Sequence, residues 1–367
     1  MSEGKSIPDQ IKDLISEISQ MGNTNVVGID IGASSVKVCE LTGGKGKYKL
    51  SKFSIVKLSE AAIIEDQFEK PEEIVDALKA ALTQSGVTNL SCAIGLYGPN
   101  TIGKRLQMPA GTPQEIEDQV MWESEQYIPF GADVSSIGHQ VLGENEGGGV
   151  DVYITAARED LIERFQNLFK DAGLKIKIID LNIIALNNIF EHSMIDMVEK
   201  MEQAALIIDA GAQSVKMLVY KNRAPIFNRE INFGGHLITE EIQRQMGVSF
   251  EEAEDLKING DESGNLPEEI LQIINSSLQT FFAEVKKSLN FFLSTSTEDK
   301  IEICYITGGS SLLPGLKEGV QKMLEVEVEH LNPLRRIEYD NKAFSGAIKD
   351  TIISQGSIAI GLSMRRP

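Results

Sequence analysis

Cysteine is scarce in this chain of 367 residues: Cys39, Cys92 and Cys304 stand far apart and form no C-x-x-C pair. Their spacing excludes a disulfide framework and a thiolate zinc site, and points to a reducing compartment. Histidine is nearly as rare. His139, His192, His236 and His330 make no H-x-x-x-H or H-x-E pattern, so each is read as a surface or capping residue rather than a metal ligand. Basic residues are outnumbered, 35 lysines and arginines against 54 aspartates and glutamates, for a formal charge of −19. That balance argues against nucleic acid or an anionic membrane as partner. No apolar run approaches the roughly 20 residues of a membrane span, and the cationic start and apolar run of a signal peptide are missing. A cytoplasmic protein is expected. Neither G-x-x-x-x-G-K-S/T nor G-x-G-x-x-G occurs, which argues against a P-loop NTPase and a dinucleotide enzyme.

What remains is an ordinary folded composition, 42% hydrophobic and 24% charged, on a length that allows two domains or one α/β body with an insertion. Ile7, Ile11, Leu14, Ile15, Ile18 and Met21 predict a short amphipathic helix within residues 1–24, docked on the body or a partner. From residue 25 the pattern turns to short β runs, Val26–Ile31, Val36–Leu41 and Tyr48–Leu58, a meander followed by a helix at Pro71–Ser85 and a strand at Ser91–Leu96. Residues 101–173, with an acidic helix at Gln114–Gln126 and a strand pair broken at Gly147-Gly148-Gly149, read as an inserted α+β subdomain. The first half resumes over 174–202, a second half spans 203–345, and 346–367 returns to the body.

The strongest signal is an internal repeat. Ile29-Asp30-Ile31-Gly32-Ala33-Ser34-Ser35-Val36-Lys37 matches Ile208-Asp209-Ala210-Gly211-Ala212-Gln213-Ser214-Val215-Lys216 at seven of nine positions. Two equivalent halves with a cleft between them are implied. Each copy ends an apolar strand on aspartate and turns on glycine and small residues, which bares backbone N–H groups to phosphate while the aspartate can hold a hydrated divalent cation. Lys37, and less strongly Lys216, could reach the same phosphates. Downstream, Thr307-Gly308-Gly309-Ser310 ends an apolar strand before a helix, where paired glycines let a flat ligand lie on the backbone.

In this order the motifs resemble those of the actin, sugar-kinase and heat-shock ATPase superfamily. Within it the chain is most similar to the PilM family of type IV pilus assembly, itself similar to the division protein FtsA. The residues that carry this are Gly28 to Lys37, Trp122-Glu123-Ser124-Glu125-Gln126-Tyr127-Ile128-Pro129-Phe130, Asn232-Phe233-Gly234-Gly235 and Ile358-Ala359-Ile360-Gly361-Leu362. The resemblance implies a duplicated actin-like, ribonuclease-H-like ATPase fold with an FtsA-like inserted α+β subdomain. It implies ATP or ADP with Mg2+, held by Asp30, Gly32, Ala33, Ser34, Ser35 and Lys37 and by Asp209, Gly211, Ala212 and Gln213, with Asp30 and Asp209 toward the metal. Gly234, Gly235, Gly308, Gly309 and Ser310 would flank the nucleoside, and Glu254 with Lys257, or Glu284 with Lys287, would contact ribose and base. The implied partner is the N-terminal cytoplasmic tail of a PilN-like inner-membrane protein, recruited in a nucleotide-dependent way by the form that ATP closes, with other pilus motor or platform proteins and self-association as further expectations, in pilus biogenesis and twitching motility.

Hydrolysing members carry glutamine or glutamate on the helix before the second phosphate motif. Here Ile184 is aligned with that place, with Asn187 or Asn188 a turn away, so weak or absent hydrolysis is expected. Two rivals are a small-molecule kinase, which needs a general-base aspartate that no further D-x-G motif offers, and an FtsA-like filament former, whose C-terminal amphipathic tether finds no room after Ser363. Trp122, Tyr127, Ile128 and Phe130 are candidate anchors for a peptide in a groove where the insertion meets the first half.

Overall fold

The structure is a computed structural model describing residues 25–367 apart from residues 45, 66, 146, 262, 297 and 299. The helix expected within residues 1–24 lies outside the described residues. The first part of the chain forms β1 (Val27–Gly32), β2 (Ser35–Gly44), β3 (Lys47–Lys57), α1 (Pro71–Ser85) and β4 (Ser91–Leu96). There follow β5 (Thr101–Met108), α2 (Pro113–Tyr127), β6 (Ser135–Glu144), β7 (Val150–Arg158), α3 (Glu159–Asp171), β8 (Lys175–Leu181) and α4 (Asn182–Val198). The second part gives β9 (Ala204–Ala210), β10 (Val215–Lys221), β11 (Ala224–Ile231), α5 (Gly235–Met246), α6 (Phe250–Asn259), α7 (Glu268–Thr295) and β12 (Ile301–Thr307). The chain closes with α8 (Leu316–Leu324), β13 (Glu327–His330), β14 (Ile337–Glu338), α9 (Gly346–Gln355) and α10 (Ser357–Ser363).

The sequence repeat extends to the topology. The first sheet has the order β8-β4-β1-β2-β3-β14 and the second β13-β12-β9-β10-β11, so five strands recur in one arrangement. The registers also agree: Asp30 lies opposite Lys37 across β1–β2, and Asp209 opposite Lys216 across β9–β10. Period-two alternation then decides what each face does. Val27, Ile29 and Ile31 join a core with α1, whereas Gly28 and Asp30 share the opposite face; in β9, Leu206 and Ile208 pack under α7, and Ala205 and Ile207 turn inward with Asp209.

Between the two inward faces lie α4 and α10, and one hydrophobic core, including Ala185, Phe190, Tyr220, Tyr305 and Ile358, joins the halves. Helix α10 rests directly on β1 because Gly28 has no side chain: a Cβ there would fall 2.0 Å from the Ala359 carbonyl oxygen.

The insertion is smaller than the sequence suggested. β5, β7 and β6 form a separate three-stranded sheet, covered by α2, whose Ile116 and Val120 pack on Met108, Val152 and Ile154. Thr112 starts α2 with a capping box to Glu115, and Pro113 pre-sets its first turn. Helix α3, expected within this unit, instead buries Leu161, Phe165, Leu168 and Phe169 in the first-half core with Ile74 and Leu78 of α1. The separate sheet and its covering helix thus lie within residues 101–158.

Candidate functional site

The two Asp-containing hairpins meet across a cleft of about 630 Å³ between the sheets. Asp30, Gly32, Ala33, Ser34, Ser35 and Lys37 line one wall and Asp209, Gly211, Ala212 and Gln213 the other, with Gly235, Glu254, Lys257, Gly308, Gly309 and Ser310 around them. The second turn is held from behind. The Gly211 carbonyl accepts from the Gly235 N–H (3.1 Å) and the Ser310 hydroxyl (2.8 Å), and the Ala212 carbonyl accepts from the His236 N–H (2.8 Å). In a planar trans peptide the next N–H points the opposite way, so the Ala212 and Gln213 amides point away from these donors. Gly308 needs its positive φ of 88°, and a Cβ there would lie 2.3 Å from the Ala210 carbonyl oxygen and 2.6 Å from Asp209 Oδ1. Gly234 is set back, its close approach to the Ala212 carbonyl leaving no room for a Cβ.

Cross-strand register explains the charges. Lys37 Nζ donates to Asp30 Oδ2 at 3.1 Å, and Lys216 Nζ lies 3.9 Å from Asp209 Oδ2. Lys37, expected on phosphate, is thus engaged by Asp30. Burial, against the pull of Lys216, raises the Asp209 carboxyl above the ordinary aspartate range. Burial works against the Lys216 ammonium too, yet Glu230, Asp209 and Asp30 hold its pKa above the ordinary lysine value. Three carboxylates thus face two ammoniums, a local excess of one negative charge. The Ser35 hydroxyl, on this wall, is buried without a hydrogen-bond partner. Turned amides, an unpaired hydroxyl and two carboxylates fit a polyphosphate with a divalent cation. Among the described residues no cluster of three or more His, Cys, Asp or Glu side chains could hold a metal, so a cation here would depend on phosphate oxygens and water besides the two aspartates.

At the far end, Lys257 donates to the Gly235 carbonyl (2.9 Å), Thr239 Oγ1 (2.6 Å) and Glu254 Oε2 (2.6 Å). All three ammonium protons are used within the protein, so Lys257 braces α6 against α5 while its side chain lines the cleft. Glu284 and Lys287 are absent from the cleft: the apolar face of α7 covers the second sheet, and these two pair with each other at 3.6 Å on its outer side. Ile184 packs against the first-half core, and neither Asn187 nor Asn188 lines the cleft. The α4 residue that does is Asn182, its Oδ1 unpartnered and pressed on Gly95, where a Cβ would lie 1.9 Å away.

Other residues escaped the sequence reading. His236 lines the cleft edge-on to Phe250, 5.3 Å between ring centroids, and burial lowers its pKa. Phe250, Ile258, Leu266, Leu312 and Pro314 form an apolar mouth. Adjacency of His236 to Gly234-Gly235 was its one available signal. The three cysteines are buried; burial pushes the Cys39 and Cys92 thiols up to about 12 and Cys304 likewise upward, so none offers a thiolate.

A second cavity, about 620 Å³, opens between β5 of the insertion, the β4–β5 loop, β11 and α7, with Ile102, Tyr153, Phe227 and Phe291 on its walls. Asn228 of β11 donates to the Gly103 carbonyl (2.7 Å) and to the Tyr153 hydroxyl (2.9 Å). The expected aromatic anchors do not reach it: Trp122 is 62% exposed on α2, Tyr127 lies under the Lys104 ammonium, and Ile128 is buried. Among the described residues no helix is long and apolar enough to cross a membrane.

The family model described as type IV pilus assembly protein PilM matches residues 28–367. Among solved structures the chain is similar to a PilM-PilN type IV pilus biogenesis complex, at 25% identity and a TM-score of 0.81 over 93% of this chain and 98% of that one. It is similar in fold alone to the ethanolamine utilization protein EutJ of Carboxydothermus hydrogenoformans, at 13% identity and a TM-score of 0.56 over 92% of this chain and 89% of that one. The same holds for a diol dehydratase-reactivating factor in nucleotide-free form, at 11% identity and a TM-score of 0.51 over 92% and 98%. With the duplicated sheet order, these likenesses show an α/β, actin-like ATPase fold carrying an inserted subdomain.

Proposed function

The chain belongs to the PilM family of type IV pilus assembly proteins, and on that premise we propose that it is an ATP-binding component that recruits the cytoplasmic tail of a PilN-like inner-membrane protein. The single observation that supports nucleotide binding best is the pair of Asp–Lys hairpins in identical register on facing walls of one cleft. Bound ATP or ADP with Mg2+ would supply a polyanion touched from both halves and a cation answering the surplus carboxylate. The turn amides of both hairpins orient the phosphates, Asp30 and Asp209 take the hydrated cation, and Glu254 with the apolar mouth takes the nucleoside. Through its partner the protein would sit at the cytoplasmic face of the inner membrane.

Turnover is expected to be far below the roughly 1–100 s⁻¹ of kinases. Ile184 packs half-buried against the first-half core, Asn182 is a short amide locked on Gly95, and no glutamine or glutamate of α4 lines the cleft. Brisk phosphate release by the purified protein, abolished in Asp209→Ala, would show this wrong.

The second cavity is the groove proposed for the tail, because one of its walls is an insertion strand whose backbone an extended peptide can follow and its other walls combine apolar side chains, Ile226, Phe227 and Phe291, with the polar Asn228, Arg229 and Glu230. A synthetic peptide of the PilN tail is expected to bind the full chain. Ile102→Glu should weaken that binding at least tenfold without lowering the melting temperature, and Trp122→Ala should leave it unchanged. Loss through Trp122→Ala alone would move the site to the exposed face of α2.

A further inference from the structure

The first sheet ends on β8, which among the described residues pairs with a strand on one side only, β4. An open strand edge presents a row of unpaired backbone groups, and folded proteins charge such edges or cover them. Here Lys175 and Lys177 are exposed, while Ile176, Ile178 and Ile179 are each half-buried. The register slips between Ile176 and Ile178, so Ile176 and Ile179 both pack against the first-half core on the side of α3. With Leu174, Lys177 and Gln166 of α3 they line a groove of about 250 Å³ along the edge.

The chain enters the fold at the same end of this sheet. The Asn25 carbonyl accepts from the Asn89 side chain at 2.9 Å, and the carbonyl of the next residue, Leu90, accepts from the Lys175 N–H at 2.8 Å. β1, β4 and β8 run parallel, so Asn25 is level with the start of β8 and two strand spacings, about 10 Å, to one side. Residues 22–24 span that distance when extended. Upstream of them Ile7, Ile11, Leu14, Ile18 and Met21 recur at steps of three and four. Ser6, with Pro8 and Asp9 in the next turn, is a helix start signal, and Gly22 is a stop. As a helix, residues 7–21 measure about 22 Å, and the strand Lys175–Leu181 measures about 23 Å. Charge matches as well. Asp9, Asp13 and Glu17 follow one another along one flank at intervals of four, which complements Lys175 and Lys177, cations in a chain of net charge −19.

We propose that residues 7–21 form a helix seated in the groove between β8 and α3, with Ile11, Leu14 and Ile18 on Ile176 and Ile179 and the acidic flank along Lys175 and Lys177. The chain's own leading segment thereby closes the open edge of the first sheet. The seat is independent of what fills the cleft or the second cavity.

The test is amide exchange in the full chain, with cysteine cross-linking beside it. Residues 174–179 should exchange about tenfold faster in the double variant Ile11→Asp, Ile18→Asp than in the natural protein, and Ile176→Asp, on the opposite surface, should speed exchange of residues 7–21 by a similar factor. Should Ile176→Asp fold poorly, Lys177→Glu, which alters only an exposed charge, should loosen residues 7–21 in the same direction. For cross-linking, Glu17→Cys and Lys177→Cys are combined and treated with a short bismaleimide; the three native cysteines are buried, so the introduced thiols react first. A link within one chain supports the seat. A link between two chains, or protection that grows with protein concentration, gives the groove to a second copy and overturns it. Exchange of residues 7–21 that is equally fast in the natural protein and in Ile176→Asp and Lys177→Glu overturns it too, as does protection of these residues that appears only on adding phosphatidylglycerol vesicles.

Discussion

Replacing Asp209 with alanine is expected to weaken Mg-ATP binding by about 1–3 kcal/mol, or roughly 5- to 150-fold, the cost of removing a charged group from a hydrogen-bonded set. Asp30→Ala should cost less within that range. Asp30 is already neutralised by Lys37 at 3.1 Å, whereas Asp209 is held more loosely, 3.9 Å from Lys216. The two variants should also differ with pH. Because burial raises the Asp209 pKa above its ordinary 3.8, the carboxylate that a cation needs is present above that raised value and is lost as pH falls through it. Affinity of the natural protein should therefore start to drop in acid before an ordinary aspartate would titrate, and Asp209→Ala should lack that limb. For folding the sign is opposite: burial of the charged form costs stability above 3.8 and the cost disappears as the group protonates. Calorimetric titration of Mg-ATP across a pH series checks both; equal affinity for both variants and the natural protein would remove the cleft assignment.

The largest loss of stability is expected from Lys257→Met. The change removes the one ammonium on which the Gly235 carbonyl, Thr239 and Glu254 converge as acceptors, and the single Thr239 hydroxyl proton can then serve only one of the other two. Breaking a buried ion pair by removing one partner costs about 3–5 kcal/mol, and since Glu254 is partly open to water the lower end, about 3 kcal/mol, is expected. Lys257→Arg should not rescue it, because a planar guanidinium cannot direct its protons to acceptors arranged around a tetrahedral nitrogen. Nucleotide affinity should fall as well, since α5 and α6 form the nucleoside end of the cleft. The denaturant midpoint with and without Mg-ATP separates the two effects. An unchanged midpoint would mean that the three bonds contribute nothing net.

The repeat was the legible part of this fold, because seven shared residues carry both the turn and the register that sets Asp opposite Lys. Placement across longer range was not. An amphipathic helix such as α3 announces that it has an apolar face but not which sheet will cover it, so its assignment to the insertion failed. Glu284 and Lys287 resembled Glu254 and Lys257 in spacing, and only packing distinguishes them: one pair lies on the outer side of a long covering helix, the other at the junction of α5 and α6. Ile184 and Asn182 differ by two positions, about 200° around a helix of 3.6 residues per turn, so one packs on the first-half core and the other lines the cleft, a difference of face that the sequence alone does not reveal. Trp122, the lone tryptophan, invited a reading as an anchor, and it lies exposed outside the groove.

The seat of α10 on β1 also has a consequence in time. The hairpin with the first phosphate turn is translated early, but the face behind Gly28 stays bare until residues 357–363 arrive, and β14 adds to the same sheet only after most of the second half is made. Such contacts close very long loops, a feature that slows folding. The first half should therefore wait, incomplete and with an apolar face uncovered, while the second half, whose sheet and α7 come from one continuous stretch, closes first. A truncation that removes α10 would leave its damage at the opposite end of the chain, in the part that was made first.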